Sequence, residues 1–221
     1  MPIRNIIFDL GGVLLNIDYQ ATINAFKDFG VSNFDQLFAQ ASQEDLFDRI
    51  EKGKITSDKF RDELRRITGL PLTDEAIDQA WNAMLLDLPW HRLDLLDGVK
   101  AHYRTFLLSN TNAIHISVFH DYLYRTYGLR NLESYFEKQY FSHEIGMHKP
   151  DREPFDLVVR ENQLLPEETL FIDDSKQHLA GARAAGIRAF WLDTTSMQIT
   201  DLFTWKYLLR PEVIDTNDYS F

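Results

Sequence analysis

Ile6-Ile7-Phe8-Asp9-Leu10-Gly11-Gly12-Val13 is the stretch that decides the reading of this chain. A continuous run of β-branched and aromatic residues suits a strand covered on both faces. The run carries a carboxylate, Asp9, to its C-terminal tip, and two glycines then let the backbone turn sharply and approach a ligand closely. Open α/β sheets bind ligands at the carboxyl ends of their strands. Asp9 is therefore a candidate nucleophile or metal ligand. The alternative is a turn aspartate that hydrogen-bonds its own loop.

Two later runs repeat the pattern. Thr105-Phe106-Leu107-Leu108 ends in Ser109-Asn110-Thr111-Asn112, and Thr169-Leu170-Phe171-Ile172 ends in Asp173-Asp174-Ser175. Between them stands Gly146-Met147-His148-Lys149-Pro150. Three strand tips thus carry an acid, a hydroxyl-amide pair and two adjacent acids, and a loop supplies a lysine. Each has a plainer reading. Ser109 and Asn110 suit the cap of the next helix. Asp173 and Asp174 suit a helix N-terminus, where the macrodipole favours acids. Lys149 on its own reads as a solvated surface lysine. Two carboxylates side by side repel, however, and a cation would relieve them.

After Pro89 the pattern alternates helix and strand, with helices expected near 93–103, within 112–127, at 154–161 behind a possible Asp151 cap, and at 176–185 behind a Ser175 cap. Strands are expected at 139–141 and 188–192. Alternation of this kind implies an α/β fold, a doubly wound, Rossmann-like parallel sheet with helices on both faces. Residues 16–88 contain no strand pattern. They read as helices: 19–29 ending at Gly30, one opened by Asn33 or Asp35 with Phe34, Leu37 and Phe38, and a short one from Ser42 or Asp45 to near Gly53. Two more follow, one capped by Thr56 or Ser57 with Phe60, Leu64 and Ile67, the other opened by Thr73 with Ile77, Trp81 and Met84-Leu85. Phe26, Phe29, Phe47 and Trp81 read as core of this bundle. The tail 196–221, with Phe203, Trp205 and Tyr207, is expected to dock at least in part.

In this order the four motifs resemble the haloacid dehalogenase superfamily of aspartate-nucleophile hydrolases, from the start of the chain to about residue 192. The segments 8–13, 108–112, 146–150 and 171–175 look like its bacterial sugar-phosphatase branch, which includes α-glucose-1-phosphatases. The resemblance implies a core domain of residues 1–15 plus 89–221 and an inserted all-helical cap of residues 16–88. It implies Asp9 as nucleophile, Lys149 as the charge-neutralising catalytic lysine, and Ser109, Asn110 and Lys149 as phosphate-binding residues. It implies Mg²⁺ as cofactor, held by Asp9, the Gly11 carbonyl and Asp174, with Asp173 acting mainly through a metal-bound water. Glu51-Lys52-Gly53-Lys54-Ile55 resembles a cap loop that meets substrate, or else is a plain helix-helix turn. Most phosphatases of this kind carry a second Asp, as general acid and base, where this chain has Gly11. A water, the substrate, or a cap residue such as Asp18 or Glu51 must then supply the proton.

The expected function is a Mg²⁺-dependent phosphatase acting on a small phosphorylated metabolite, with a sugar phosphate among the candidates, through an aspartyl-phosphate intermediate on Asp9. The alternatives are a haloacid dehalogenase-type hydrolase, which needs no metal, and a catalytically weak phospho-ligand-binding protein, to which Gly11 points. The net charge of −11 over 221 residues disfavours nucleic acid or an anionic membrane as partner. With no cysteine, disulfide scaffolds and thiolate metal sites are excluded. Met1-Pro2-Ile3-Arg4-Asn5 leads straight into a strand without a signal-like apolar region, and no run is long enough to span a bilayer. A cytoplasmic location is the expectation. His115, His143 and His148 show no metal-ligand spacing and read as surface or loop residues.

Overall fold

The computed structural model describes residues 2–31 and 45–214. Five strands, β1 (Asn5–Phe8), β2 (Arg104–Ser109), β3 (Lys138–Phe141), β4 (Thr169–Asp173) and β5 (Arg188–Trp191), form one sheet in the order β3-β2-β1-β4-β5. Every pairing is parallel. The first three strands step outward in one direction and β4 crosses back to the other side of β1. The carboxyl end of β1 therefore lies at the point where strand order reverses, which is where such sheets hold ligands.

The apolar runs form central strands because both faces are covered. Ile6 and Phe8 pack into one core with Leu96 and Phe119, while Ile7 packs into the other with Phe155 and Leu179; all are buried. The first face is covered by α5 (Trp90–Val99) and α6 (Ala113–Tyr127), the second by α8 (Glu153–Asn162) and α9 (Lys176–Ala184). A short helix, α7 (Ser142–Ile145), follows β3 directly. Ile199, Phe203, Leu209 and Val213, the last within α10 (Pro211–Ile214), also join the first core.

Between β1 and β2, the described residues form α1 (Tyr19–Asp28), α2 (Leu46–Glu51), α3 (Ser57–Thr68) and α4 (Asp74–Asn82). They bury a third core around Phe26, Ile50, Phe60, Leu64, Ile77 and Trp81, joined by Ile114 of α6. Phe29 and Phe47 pack against its edge. Thr56 and Thr73 cap α3 and α4 by accepting from Lys59 N and Ala76 N, each at 3.2 Å. The two linkers to the sheet run side by side: Asn16 N donates to Asp87 O at 2.8 Å, Leu86 N to Asn16 O at 3.0 Å and Asp18 N to Met84 O at 2.9 Å.

Several boundaries differ from the sequence expectation. The helix from Thr73 stops at Asn82, and Met84 and Leu85 belong to the linker, where Leu85 bridges Ile17. The helix expected from residue 93 starts at Trp90, because Pro89 sets the extended entry that precedes it. Asp151 does not cap α8; its carboxylate reaches Lys52 at 3.3 Å. Ser175 precedes α9 but caps nothing with its hydroxyl. The expected helix from Asn33 or Asp35 and a start at Ser42 lie outside the described residues, as does the end of the tail. Among the described residues no helix is long and apolar enough to cross a membrane.

Candidate active site

β1, β4 and the loop before α8 bring the site together. Asp9 N donates to Ile172 O at 3.0 Å, so the backbone ladder persists one residue past β1 and fixes where the Asp9 side chain emerges. Lys149 Nζ reaches Asp9 Oδ1 at 2.6 Å and Asp173 Oδ2 at 2.8 Å. Far from being a solvated lysine, Lys149 is among the most deeply buried side chains of the molecule. Its backbone is clamped by Asn110, whose Nδ2 donates to Lys149 O at 2.8 Å and whose Oδ1 accepts from Lys149 N at 2.9 Å. Asn110 therefore positions the lysine, using both ends of its amide.

Capping of α6 falls to Asn112, whose Oδ1 accepts from Ile114 N and His115 N, each at 3.1 Å. That leaves Ser109, buried at the tip of β2, with only a long 3.5 Å contact to Asn110 O among the described residues, so its hydroxyl can turn to another acceptor. Asp173 is tied on all sides. Besides Lys149, its carboxylate accepts from Ser175 N at 2.7 Å and contacts His178 Nδ1 at 2.9 Å. His178 escaped the sequence reading. The signal available was its place in the first turn of the helix behind the acid pair.

Oxygen atoms of Asp9, Asp173 and Asp174 lie within 4.8 Å of one another. Burial pushes the Asp9 carboxyl up to about 7; Lys149 opposes the rise, and Asp173 and Asp174 add to it. Asp174 is raised in the same way, first by burial and then by Asp173. Asp173 goes the other way, to about 2, because Lys149 and His178 outweigh its burial. Two carboxylates are thus held with less positive charge than they need. A hard divalent cation that prefers carboxylate and carbonyl oxygens would meet that need. The turn suits the same role. Gly12 has φ +76°, and a Cβ there would overlap Asp174 Oδ2, so only glycine lets the loop press against that acid. The Gly11 carbonyl accepts no hydrogen bond among the described residues.

The helical block meets the site from above. Asp48 of α2 accepts from His148 Nε2 at 2.7 Å, and Lys52 reaches both Asp48, at 2.8 Å, and Asp151. Gly53, at φ +62°, lies so close to the core that a Cβ would overlap His143 O. The 51–55 loop is therefore an interface with the core and not a plain turn. Burial raises the Glu51 carboxyl, with Asp48 adding to the rise and His148 and Lys149 opposing it. Tyr19, though 66% exposed, has its hydroxyl raised to about 12 by desolvation and by Asp174, Asp9 and Glu51. Its place at the site mouth had no distinct sequence signal. Asp18 is spent elsewhere, as the α1 cap that accepts from Gln20 N at 2.9 Å. His115 is neither surface nor loop: it is buried, 2.8 Å from Asn82 Oδ1, and stacked on Trp81.

A family profile for haloacid dehalogenase-like hydrolases matches residues 3–186. The chain belongs to the haloacid dehalogenase-like hydrolases. Among relatives of this hydrolase, a D-ribitol-5-phosphate phosphatase of Bacteroides thetaiotaomicron is 33% identical over 85% of this chain and 91% of its own length. A family enzyme of the same organism, solved in complex with magnesium and inorganic phosphate, superposes with a TM-score of 0.82 at 39% identity, covering 91% of this chain and all of the other. A predicted HAD-like hydrolase of Porphyromonas gingivalis gives 0.77 at 34% identity, over 86% of this chain and 91% of the other. The L-2-haloacid dehalogenase of Xanthobacter autotrophicus, at 22% identity and 0.56, shares the fold.

Proposed function

We propose that this hydrolase is a Mg²⁺-dependent phosphatase that releases inorganic phosphate from a small sugar or alditol phosphate, with Asp9 as its nucleophile. The observation that carries the reading is the buried Lys149 bridging Asp9 and Asp173 beside an unneutralised Asp174. The phosphatase and magnesium-phosphate relatives support it. Asp9, the Gly11 carbonyl and Asp174 would hold Mg²⁺, with Asp173 behind them. When bound, the ion neutralises the phosphate dianion and orients it against the nucleophile. Residues 16–88 act as a cap, joined to the core through the paired linkers and latched by the Asp48–His148 contact.

Asp9 Oδ attacks phosphorus, and the bond from phosphorus to the leaving alcohol oxygen breaks. Lys149 holds the Asp9 carboxylate ionised and in place, and the Ser109 hydroxyl donates to a phosphate oxygen. The leaving oxygen takes a proton from Glu51. Glu51 suits this better than Asp18, because burial keeps it protonated to higher pH and its carboxyl lies within electrostatic reach of Lys149. Water then attacks the aspartyl phosphate, returning its proton to Glu51 and freeing Asp9 and inorganic phosphate.

A screen of sugar and alditol phosphates with and without chelator tests the reading. Phosphate release is expected to stop in chelator and return with added Mg²⁺. Phosphate release that continues undiminished in chelator would remove Mg²⁺ from the reading, and no release from any phosphate ester would favour the dehalogenase-type alternative. Glu51→Gln is expected to slow alkyl phosphates by about 10²-fold, the low end for general acid catalysis, and to leave aryl phosphates nearly unchanged. A Cβ at position 11 would meet Ile17 Cδ1 at 3.4 Å, an ordinary contact, so the loop admits a side chain there. Adding Gly11→Asp to the Glu51→Gln variant should therefore recover part of the alkyl rate. Equal slowing of both substrate classes would remove Glu51 from the acid role.

A further inference from the structure

A polar cavity of about 350 Å³ opens where the two linkers leave the core. It is lined by Asn16 of the first linker, by Pro89, His91 and Arg92 at the start of α5, and by Thr194 and Gln198 after β5. None of Asp9, Ser109, Lys149, Asp173 or Asp174 lines it, so it is separate from the candidate active site. Gly12 stands at the boundary, lining the cavity while its Cα abuts Asp174.

Arg92 is the unusual residue here. It is 6% exposed, and a guanidinium stays charged at any physiological pH. Nη1 donates to Leu14 O at 2.8 Å, while Nε is buried with no partner among the described residues. No carboxylate forms an ion pair with it among the described residues. The acid that bears on it through space, Asp87, commits Oδ1 to Asn16 Nδ2 at 2.8 Å. A buried charge ordinarily has a counter-charge, because desolvation is costly without one. This protein carries a net charge of −11, yet the cavity beside Arg92 has no acidic residue in its lining. The cavity also adjoins the first turn of α5, a ten-residue helix that Pro89 leaves without a side-chain cap. Free N–H groups at a helix start favour an anion.

We propose that this cavity binds a small oxyanion, a phosphate-type or carboxylate group, with Arg92 as its principal ligand. His91 and Asn16 add further donors, and Thr194 and Gln198 lie at the exposed rim. The bound group would supply the counter-charge that Arg92 lacks among the described residues, and it would sit where the cap linkers meet the core.

The test uses the full-length, ¹⁵N-labelled, Mg²⁺-loaded protein and follows the Arg92 Nε–H resonance, assigned by its loss in Arg92→Lys. Sulfate and succinate are titrated separately at constant ionic strength. A saturable shift with a Kd of about 1 mM or tighter is expected for at least one of them. Saturation by sulfate alone assigns a phosphate-type ligand, and saturation by succinate alone a carboxylate. Thr194→Glu places a competing carboxylate at an exposed rim position, where folding is not at stake. It should weaken the binding at least about tenfold with Tm unchanged. A shift that stays linear for both anions, or binding indifferent to Thr194→Glu, would overturn the proposal.

Discussion

Asp9→Asn is expected to lower phosphate release by at least about 10⁴-fold while leaving the fold intact, as loss of a covalent nucleophile does elsewhere. The amide keeps the shape of the carboxylate and still accepts from Lys149, so the architecture at the tip of β1 survives. What it cannot do is attack phosphorus. The same substitution carries a second, opposite signature in stability. In the metal-free protein Asp9 titrates at about 7, against 3.8 for an unburied aspartate. A carboxyl whose folded pKa is raised contributes stability that is full below 3.8 and is lost as pH rises through about 7. Metal-free Asp9→Asn escapes that loss, so its Tm should exceed the wild-type value at pH 8 and approach it at pH 5. Thermal denaturation in chelator at the two pH values measures this. A variant that hydrolyses substrate at near wild-type rate would mean that water attacks directly. A Tm difference independent of pH would mean that Asp9 is not strained by its surroundings.

The parts of the molecule that were legible in the sequence are those fixed by local pattern. Ile6-Ile7-Phe8, Phe106-Leu107-Leu108 and Leu170-Phe171-Ile172 are continuous apolar runs, and only a strand covered on both faces uses them fully. Their polar ends then had to gather at one edge of a parallel sheet. Thr56 and Thr73 marked helix starts because a hydroxyl at that position meets a free N–H. What was not legible depends on partners remote in sequence. The burial of Lys149 is set by Asp9, 140 residues away, and by Asp173, 24 residues away. Nothing in Met147-His148-Lys149-Pro150 announces it. Asp18 looked like a proton donor and caps α1. Asp151 looked like a cap and instead meets Lys52 of the helical block. In each case the side chain has two chemically sound uses, and tertiary geometry chooses between them. The Gly53–His143 contact is of the same kind, since a glycine between helices reads as a turn until the opposing carbonyl is seen.

Lys149→Met should be the most damaging single change to the metal-free fold. The substitution preserves length and apolar volume, so it isolates the charge. Lys149 is the cation shared by Asp9 and Asp173, and all three side chains are essentially removed from water. Removing one partner of a buried ion pair typically costs about 3–5 kcal/mol, because the remaining charge stays desolvated and unmatched. For a chain of this size that is a fall in Tm on the order of 10 °C. The loss should be greatest at pH 8, where Asp9 must ionise, and smaller at pH 5, where it is protonated. In the wild type the folded value of Asp173, about 2, lies below its ordinary 3.8, so its stabilising share is present above 3.8 and disappears as pH falls through about 2. Without Lys149 much of that depression is gone and burial opposes ionisation of Asp173 as well, which adds to the loss at higher pH. Mg²⁺ should raise the Tm of Lys149→Met more than that of the wild type, since the ion then supplies the positive charge that the lysine no longer brings to the three acids. Turnover should remain at least about 10³-fold depressed even at saturating Mg²⁺, because the ion does not replace the ammonium that holds the Asp9 carboxylate in place from its buried side. A Lys149→Met protein that melts and turns over like the wild type would show that the lysine is ornamental to the site, and the charge argument built on it would fail.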